Sequence, residues 1–414
     1  MSLTKCLPLL LTFAAFTPAQ EFSVKDGDTV VFYGDSITDQ RLYTTFVETF
    51  VVTRYPHMQV KFVHSGWGGD RVSGGGGGSI DERLRRDVLA YKPTVMTIML
   101  GMNDGSYRAF DEDIFNKFKI GYEHIIDSVK QAFPAARITV IKPSPFDDVT
   151  RAPNFEGGYN EVLIRYGNFL QDLANKDNLS IADMNTPVVE ALKIAKAKDA
   201  KEAQQIVPDR VHPQAAGHLI MAEALLKAWQ ATPTVTTVAI DAGEAKVRDA
   251  TSTAVSDLKR TGSRLTWVQK DERLPMPINL DDGVMKLAVG SSHILEDLDQ
   301  EMLKVTGLSG ASYILKINGK AIGTFTREQL ANGVNLASVS TPMMTQAAAV
   351  HALTLKRAAV HNTRWRNLQT PFEKESLPRL ATILDNLDAL DADLAALQRA
   401  SAQPSDCFYE LVAE

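Results

Sequence analysis

Four short apolar runs recur through the first half of the chain, separated by stretches with helical spacing. Thr29 to Tyr33, Gln59 to Val63, Thr94 to Leu100 and Arg137 to Ile141 are rich in β-branched residues and apolar at alternate and intervening positions alike. That is the pattern of strands buried on both faces. Between them, Leu42 to Arg54 and Ile114 to Phe133 space their apolar residues as amphipathic helices do. Strand, helix, strand, helix in this order predicts a parallel sheet layered between helices, from Phe22 to about Trp229. Sheets of this kind bind ligands beyond the carboxyl ends of their strands.

After Thr232 the texture changes. Val235 to Ile240, Arg264 to Val268 and Tyr313 to Ile317 read as strands, and Asn318-Gly319 joins the last of these to Lys320–Phe325. Asn-Gly between two apolar runs signals a type I′ hairpin. Met343 to Trp365 then has helical spacing. Leu380, Leu384, Leu387, Leu390, Leu394 and Leu397 mark the stripe of a further helix. A short connection around Pro371 predicts that the two pack as an antiparallel pair. The stripe is read first as a face buried within the chain, with a coiled coil between copies as the alternative. These C-terminal helices are therefore the candidate surface for a homo-oligomer. The expected organisation is a segment 1–20, a catalytic domain 21–232, a β-rich accessory region 233–340 and a helical region 341–414.

The first twenty residues differ from the rest. Lys5 precedes an apolar run from Leu7 to Phe16, and Thr17-Pro18-Ala19 offers small residues for cleavage. That is the layout of a secretory signal peptide. The run is shorter than the roughly 20 residues that span a bilayer, so no stable membrane insertion is expected. Removing it takes Lys5 and no acid, moving the formal charge from −6 to about −7 and leaving Cys407 as the single cysteine. One cysteine makes no internal disulfide, so packing must hold the fold. A secreted or periplasmic location is expected. No basic patch suggests nucleic acid.

The candidate chemistry begins at Gly34-Asp35-Ser36. A strand ending at Tyr33 puts Ser36 at the carboxyl edge of the sheet, and a helix beginning near Thr38 would aim free N–H groups and a positive dipole end back at it. On its own the motif reads first as a helix cap by Ser36 or Thr38. A serine hydroxyl needs a base to become a nucleophile, and histidine is the usual one. Of eight histidines, His212 has an acid in its own loop, Asp209, placed to accept the ring N–H and fix its tautomer. Gly66 follows the second strand and Asn103 the third; a bare amide and a side-chain amide there are donors suited to an oxyanion. No tight histidine, cysteine and carboxylate cluster argues for a metal, and no cofactor is implied.

Taken together, Gly34-Asp35-Ser36, Gly66, Gly101-x-Asn103-Asp104 and Asp209-x-x-His212 resemble the motifs of the SGNH hydrolase superfamily, the GDSL esterases and lipases, over about residues 25 to 230. Among its members the chain looks most like secreted carbohydrate acetylesterases. The resemblance implies a flavodoxin-like α/β/α sandwich with five parallel strands. It implies Ser36 as nucleophile, His212 as general base and Asp209 as its orienting acid, with the Ser36 and Gly66 amides and the Asn103 side chain as the oxyanion hole. One departure is visible: the superfamily often has asparagine just before the second-block glycine, where this chain has His64-Ser65.

The implied reaction is hydrolysis of a short-chain ester, acetyl foremost, on a small acyl ester or an acetylated polysaccharide. A lipase, lysophospholipase or thioesterase is the alternative within the superfamily; a carbohydrate-binding protein without activity is the alternative outside it. Asp35 and Trp67 are the candidate substrate contacts. Trp67 could equally be a core ring beneath its loop. The loop from Pro143 to Asp148, with Arg151, is read as a rigid proline turn, and Gly74 to Gly78 as a flexible connector.

Overall fold

A computed structural model describes residues 21–414. The expected signal peptide, 1–20, lies outside the described residues. Five parallel strands form the central sheet: β1 (Thr29–Gly34), β2 (Lys61–Gly66), β3 (Val95–Met99), β4 (Arg137–Lys142) and β5 (Ser180–Asp183), in the order β2-β1-β3-β4-β5. The first four fall on the four apolar runs, the second of them displaced toward the carboxyl end, from 59–63 to Lys61–Gly66. The fifth is four residues long with only Ala182 buried, too brief to stand out by periodicity. In β1, Val30 to Gly34 is buried without a break, as expected of a strand covered on both faces. Gly34 is in register with Gly66 on one side and Met99 on the other, so the carboxyl ends of β1, β2 and β3 lie level.

The helix expected near Thr38 is split. A single turn, α1 (Ser36–Asp39), is followed by Arg41 at φ 60°, and α2 (Leu42–Arg54) starts there. The helices α3 (Glu112–Ala132), α4 (Gly158–Asp177) and α5 (Ala215–Ala228) follow. Pattern alone makes α2 amphipathic, yet every residue from Tyr43 to Arg54 is buried. The reason lies some three hundred residues away: its polar side is covered by α6 (Pro342–Asn362).

That contact is a buried polar seam. Arg357 of α6 donates to Glu48 Oε1 at 2.6 Å, and Gln398 donates to the same oxygen at 3.1 Å. His64 meets Glu48 Oε2 at 3.1 Å, and Thr49 bonds His351 at 2.9 Å and Thr354 at 3.0 Å. Burial pushes the Glu48 carboxyl up, but the Arg357 guanidinium and the His64 ring more than reverse this and hold it below its usual range.

The accessory strands β6 (Thr234–Asp241), β7 (Lys246–Thr251), β8 (Thr253–Thr261), β9 (Arg264–Asp271), β10 (Gln300–Thr306), β11 (Ser312–Ile317), β12 (Lys320–Thr326) and β13 (Cys407–Ala413) form two further sheets. One joins β6, β7 and β10 with the short strand Val334–Asn335; the other runs β8-β9-β13-β11-β12. The Asn318-Gly319 hairpin is present, both residues at positive φ. The expected boundary at 340 is crossed by β13, which pairs with β9 and β11 in the middle of a sheet otherwise made before it. Its Cys407, Tyr409 and Leu411 point into a second core with Trp267, which stacks on Tyr409. Met276, Ile278, Met285 and Ile294 pack instead into the core of the central sheet, so the accessory region is fused to the 21–232 region.

The leucine helix, α7 (Pro378–Ser401), lies along α6 as the short connection predicts. Its stripe divides. Leu380, Leu384, Leu387 and Leu394 are partly covered, whereas Leu390 and Leu397 are exposed, in line with Ile383 seven residues earlier. No helix among the described residues is long and apolar enough to cross a membrane.

The seam makes a direct prediction. Replacing Arg357 with Ala strands Glu48 in the interior without its cation and should cost about 3 kcal/mol or more. Urea denaturation should show it as a lowered midpoint. The double variant Glu48→Gln, Arg357→Met should recover part of the loss, and a single variant as stable as the parent would contradict the role given to the pair.

Candidate active site

Ser36 is the first residue of α1, directly after β1. The turn is sharp because glycines let backbone approach backbone. A Cβ at Gly66 would lie 2.2 Å from the Asp39 nitrogen and 2.4 Å from the Thr38 carbonyl carbon. One at Gly34 would lie 2.2 Å from Thr38 Oγ1 and 2.7 Å from the Met99 carbonyl oxygen. No other residue type fits either place. The helix cap is neither Ser36 nor Thr38 but Asp35, whose Oδ1 accepts from the Ile37 N–H at 3.0 Å. Ser36 is thereby left with a free hydroxyl and, as a first-turn residue, an amide with no helical partner.

That hydroxyl meets His212 Nε2 at 2.8 Å, and His212 Nδ1 meets Asp209 Oδ2 at 2.7 Å. Asp209 Oδ1 accepts the backbone N–H groups of Val211 at 2.9 Å and His212 at 2.7 Å, so the carboxylate fixes both the loop and the ring. Burial works to raise the Asp209 carboxyl; the backbone and ring N–H groups of His212 and the Val211 amide outweigh it and hold it below its ordinary value. A hydroxyl, an imidazole and a carboxylate in this order can pass a proton from the serine to the ring and on to a leaving group.

The loop carrying Asp209 and His212 is braced from two sides. Arg151 donates to the Val207 carbonyl at 3.1 Å and the Pro208 carbonyl at 2.7 Å, and the Asp147 amide donates to the Arg210 carbonyl at 2.9 Å. The Pro143–Asp148 turn and Arg151 thus support the Asp209–His212 loop rather than line the pocket. On the other side, His218 Nδ1 accepts from the Tyr43 amide at 3.1 Å, leaving Nε2 to donate to Gln40 Oε1 at 3.1 Å. Gln40 in turn donates to the Pro213 carbonyl at 3.2 Å. Burial lowers the His218 pKa to about 3, which keeps that tautomer neutral and the relay intact.

The two expected side donors sit on the same edge of the sheet. Gly66 ends β2 level with Gly34. Asn103 follows β3; its Oδ1 accepts from the Tyr107 hydroxyl at 2.9 Å, and its Nδ2 donates to the Asp70 carbonyl at 3.0 Å. With both those ends held, the second Nδ2–H remains available. Ser106 and Tyr107 both have positive φ, a strained turn where the Asn103 amide is set.

Three expectations need correction. Asp35 is 1% exposed and spent on its cap, so it does not face a substrate. Trp67 is 9% exposed and has no open face for a sugar. The Arg366 guanidinium lies 3.1 Å from its ring centroid, Arg83 and Arg86 approach at 5.2 Å and 5.5 Å, and Trp365 meets it edge-on. The glycine tract is likewise no loose connector: Gly74–Gly75 pairs with Gly78–Ser79 as a small ladder.

Sequence reasoning missed the rest of the pocket wall. A cavity of about 480 Å³ opens over Ser36 and His212, lined by Asp39, Gln40, Arg41, Asn362 and Arg366. Asn362 and Arg366 come from the end of α6 and a π-helical segment, Thr363–Gln369, that follows it. Nothing in their local sequence marks them, since only the docking of α6 on α2 brings them to Ser36. Among the described residues no three histidine, cysteine or acidic side chains converge as a metal site requires.

Residues 32–220 of the chain match the GDSL-like Lipase/Acylhydrolase family, a family of carboxylic ester hydrolases. An acetylxylan esterase of Geobacillus stearothermophilus is 25% identical over 224 residues, covering 49% of this chain and 94% of that protein. Over the full length, the chain is similar to the structure of a gut microbial diltiazem-metabolizing enzyme. That match has 24% identity, covers 95% of this chain and 99% of the other, and has a TM-score of 0.81. The accessory sheets and C-terminal helices therefore belong to an architecture found in another protein.

Asp35 allows a test of the turn itself. Burial, with the nearby Asp104 and Asp70, raises its pKa from 3.8 to about 7 against the Ile37 bond. An acid raised in the folded state contributes stability below its unfolded pKa and loses it as pH climbs through the folded one. Asp35→Asn keeps an oxygen for the cap, so its stability relative to the parent should rise between about pH 4 and pH 7, by on the order of 1 kcal/mol or more. Melting temperatures of both proteins at pH 4.5 and 8 measure this; a difference that does not change with pH would contradict it.

Proposed function

We propose that this protein is a serine esterase that removes short acyl groups, acetyl foremost, from carbohydrate hydroxyls outside the cytoplasm. In this reading Ser36 attacks the acyl carbon while His212 takes its proton, and Asp209 holds and stabilises the imidazolium. The oxyanion that forms is met by the Ser36 and Gly66 amides and the Asn103 side chain. His212 returns the proton to the departing alcohol, and water then releases the acyl group from Ser36 by the same steps. Losing one oxyanion donor typically costs ~10²–10³ in rate.

One observation carries the choice of substrate. The cavity over Ser36 is lined by Asp39, Gln40, Arg41, Asn362 and Arg366, all of them polar or charged. A cavity lined in this way takes a polar alcohol portion such as a sugar far better than an apolar one such as a lipid. The acetylxylan esterase relative supports the same choice. Export rests on the pattern of residues 1–20.

Purified protein should hydrolyse p-nitrophenyl acetate faster than the butyrate and much faster than the octanoate. Ser36→Ala should lower kcat on the acetate by at least ~10³. An octanoate preference would move the substrate to lipids, and a Ser36→Ala variant as active as the parent would remove the serine from the mechanism.

A further inference from the structure

Two guanidinium groups stand in the pocket wall with one carboxylate between them. Asp39 Oδ1 accepts from Arg41 at 3.4 Å, and Asp39 Oδ2 takes the Gly68 amide at 3.1 Å. Arg366 is 3.9 Å from Oδ2, too far for a hydrogen bond, and its Nη1 has no hydrogen-bond partner among the described residues. The wall therefore carries one positive charge more than it neutralises. The nearby acids Asp70 and Asp87 are already engaged by Arg83, and Asp209 by His212.

Neither arginine is placed by default. Arg41 holds a left-handed backbone, φ 60° and ψ 18°, at the break between α1 and α2, and Asn362 accepts from its guanidinium at 3.0 Å. Arg366 sits on the π-helical segment, flat on Trp67. Burial and the like charge of Arg83 hold its pKa below the ordinary value despite Asp39. A bound anion would relieve that cost.

The side of the scissile bond follows from the proton path. His212 gives its proton to the leaving alcohol, so the alcohol lies on the His212 side of Ser36. The arginine-lined cavity includes Ser36 and His212 and excludes Gly66 and Asn103, where the oxyanion would sit. We propose that Arg366 and Arg41 form an anion subsite that selects esters whose alcohol portion carries a carboxylate or sulfate, such as an acetylated acidic sugar. The proposal rests on the esterase reading and narrows it. The chemistry is unchanged: Ser36 Oγ bonds the acyl carbon, the carbon–alcohol bond breaks, and the serine proton leaves on the alcohol by way of His212.

The test compares kcat/KM for 3-(carboxymethyl)phenyl acetate and its uncharged carboxamide, whose leaving phenols are close in acidity. The parent should favour the carboxylate by about tenfold, a difference that falls as salt is raised to ~0.5 M. Arg366→Gln and, separately, Arg41→Gln should bring the ratio toward one, with Arg366→Lys keeping part of it. A parent ratio at or below one, or a ratio unmoved in both glutamine variants, overturns the proposal while leaving the esterase reading intact if the carboxamide ester is cleaved. A parent that cleaves neither ester overturns both.

Discussion

The close approach of α1 to the ends of β1 and β2 is the constraint on which the site depends. Thr38 lies over Gly34 and the α1 backbone lies over Gly66, both at distances that exclude a Cβ. With those contacts made, the proposed nucleophile stands at the sheet edge with its amide unspent. The Gly66 amide falls level with it, and β3 delivers Asn103 to the same edge. The remaining parts are braces. Asp209 closes its own loop, Arg151 holds that loop from below, and the His218–Gln40–Pro213 relay ties it back to α1.

The C-terminal half acts on this edge through α6. Its polar seam with α2 buries Glu48 and Arg357, and beyond the seam a change of helical register turns Trp365 and Arg366 toward Trp67. Trp365 Nε1 donates to Asp87 at 2.5 Å, joining the helix to the Arg83 cluster beneath the site. A π segment in an otherwise regular helix changes which side chains face the partner, and such segments recur at functional places. The C-terminal helical region therefore supplies part of the pocket wall.

What could be read from the chain divides along a physical line. The strands buried on both faces announce themselves by composition, and Leu42–Arg54 keeps its predicted bounds although burial on all sides replaces the amphipathic face its pattern predicts. Ser36, Asp209 and His212 were legible because each lies within a turn next to its own element, and the structure brings the three together. Asp35 and Trp67 were misread for the same reason: adjacency in sequence to Ser36 and Gly66 says nothing about which way a side chain faces. Arg41, Asn362 and Arg366 were invisible because their role exists only after α6 docks. The 340 boundary failed because β13 is a short strand whose partners lie across two helices.

That last feature bears on how the molecule assembles. β13 is separated by well over a hundred residues from β9 and by about ninety from β11, yet it fills the gap between them. Until it arrives, the second sheet is two hairpins, β8 with β9 and β11 with β12, each presenting an unpaired inner edge. Closing it brings the chain back through α6 and α7, so the step combines a large loop with non-local pairing. A nascent or partly unfolded chain would hold two complementary open edges in a sheet that pairs with any strand offered to it. Intermolecular exchange of the 407–413 segment is thus the characteristic hazard of this architecture, and speed of helix docking is its safeguard.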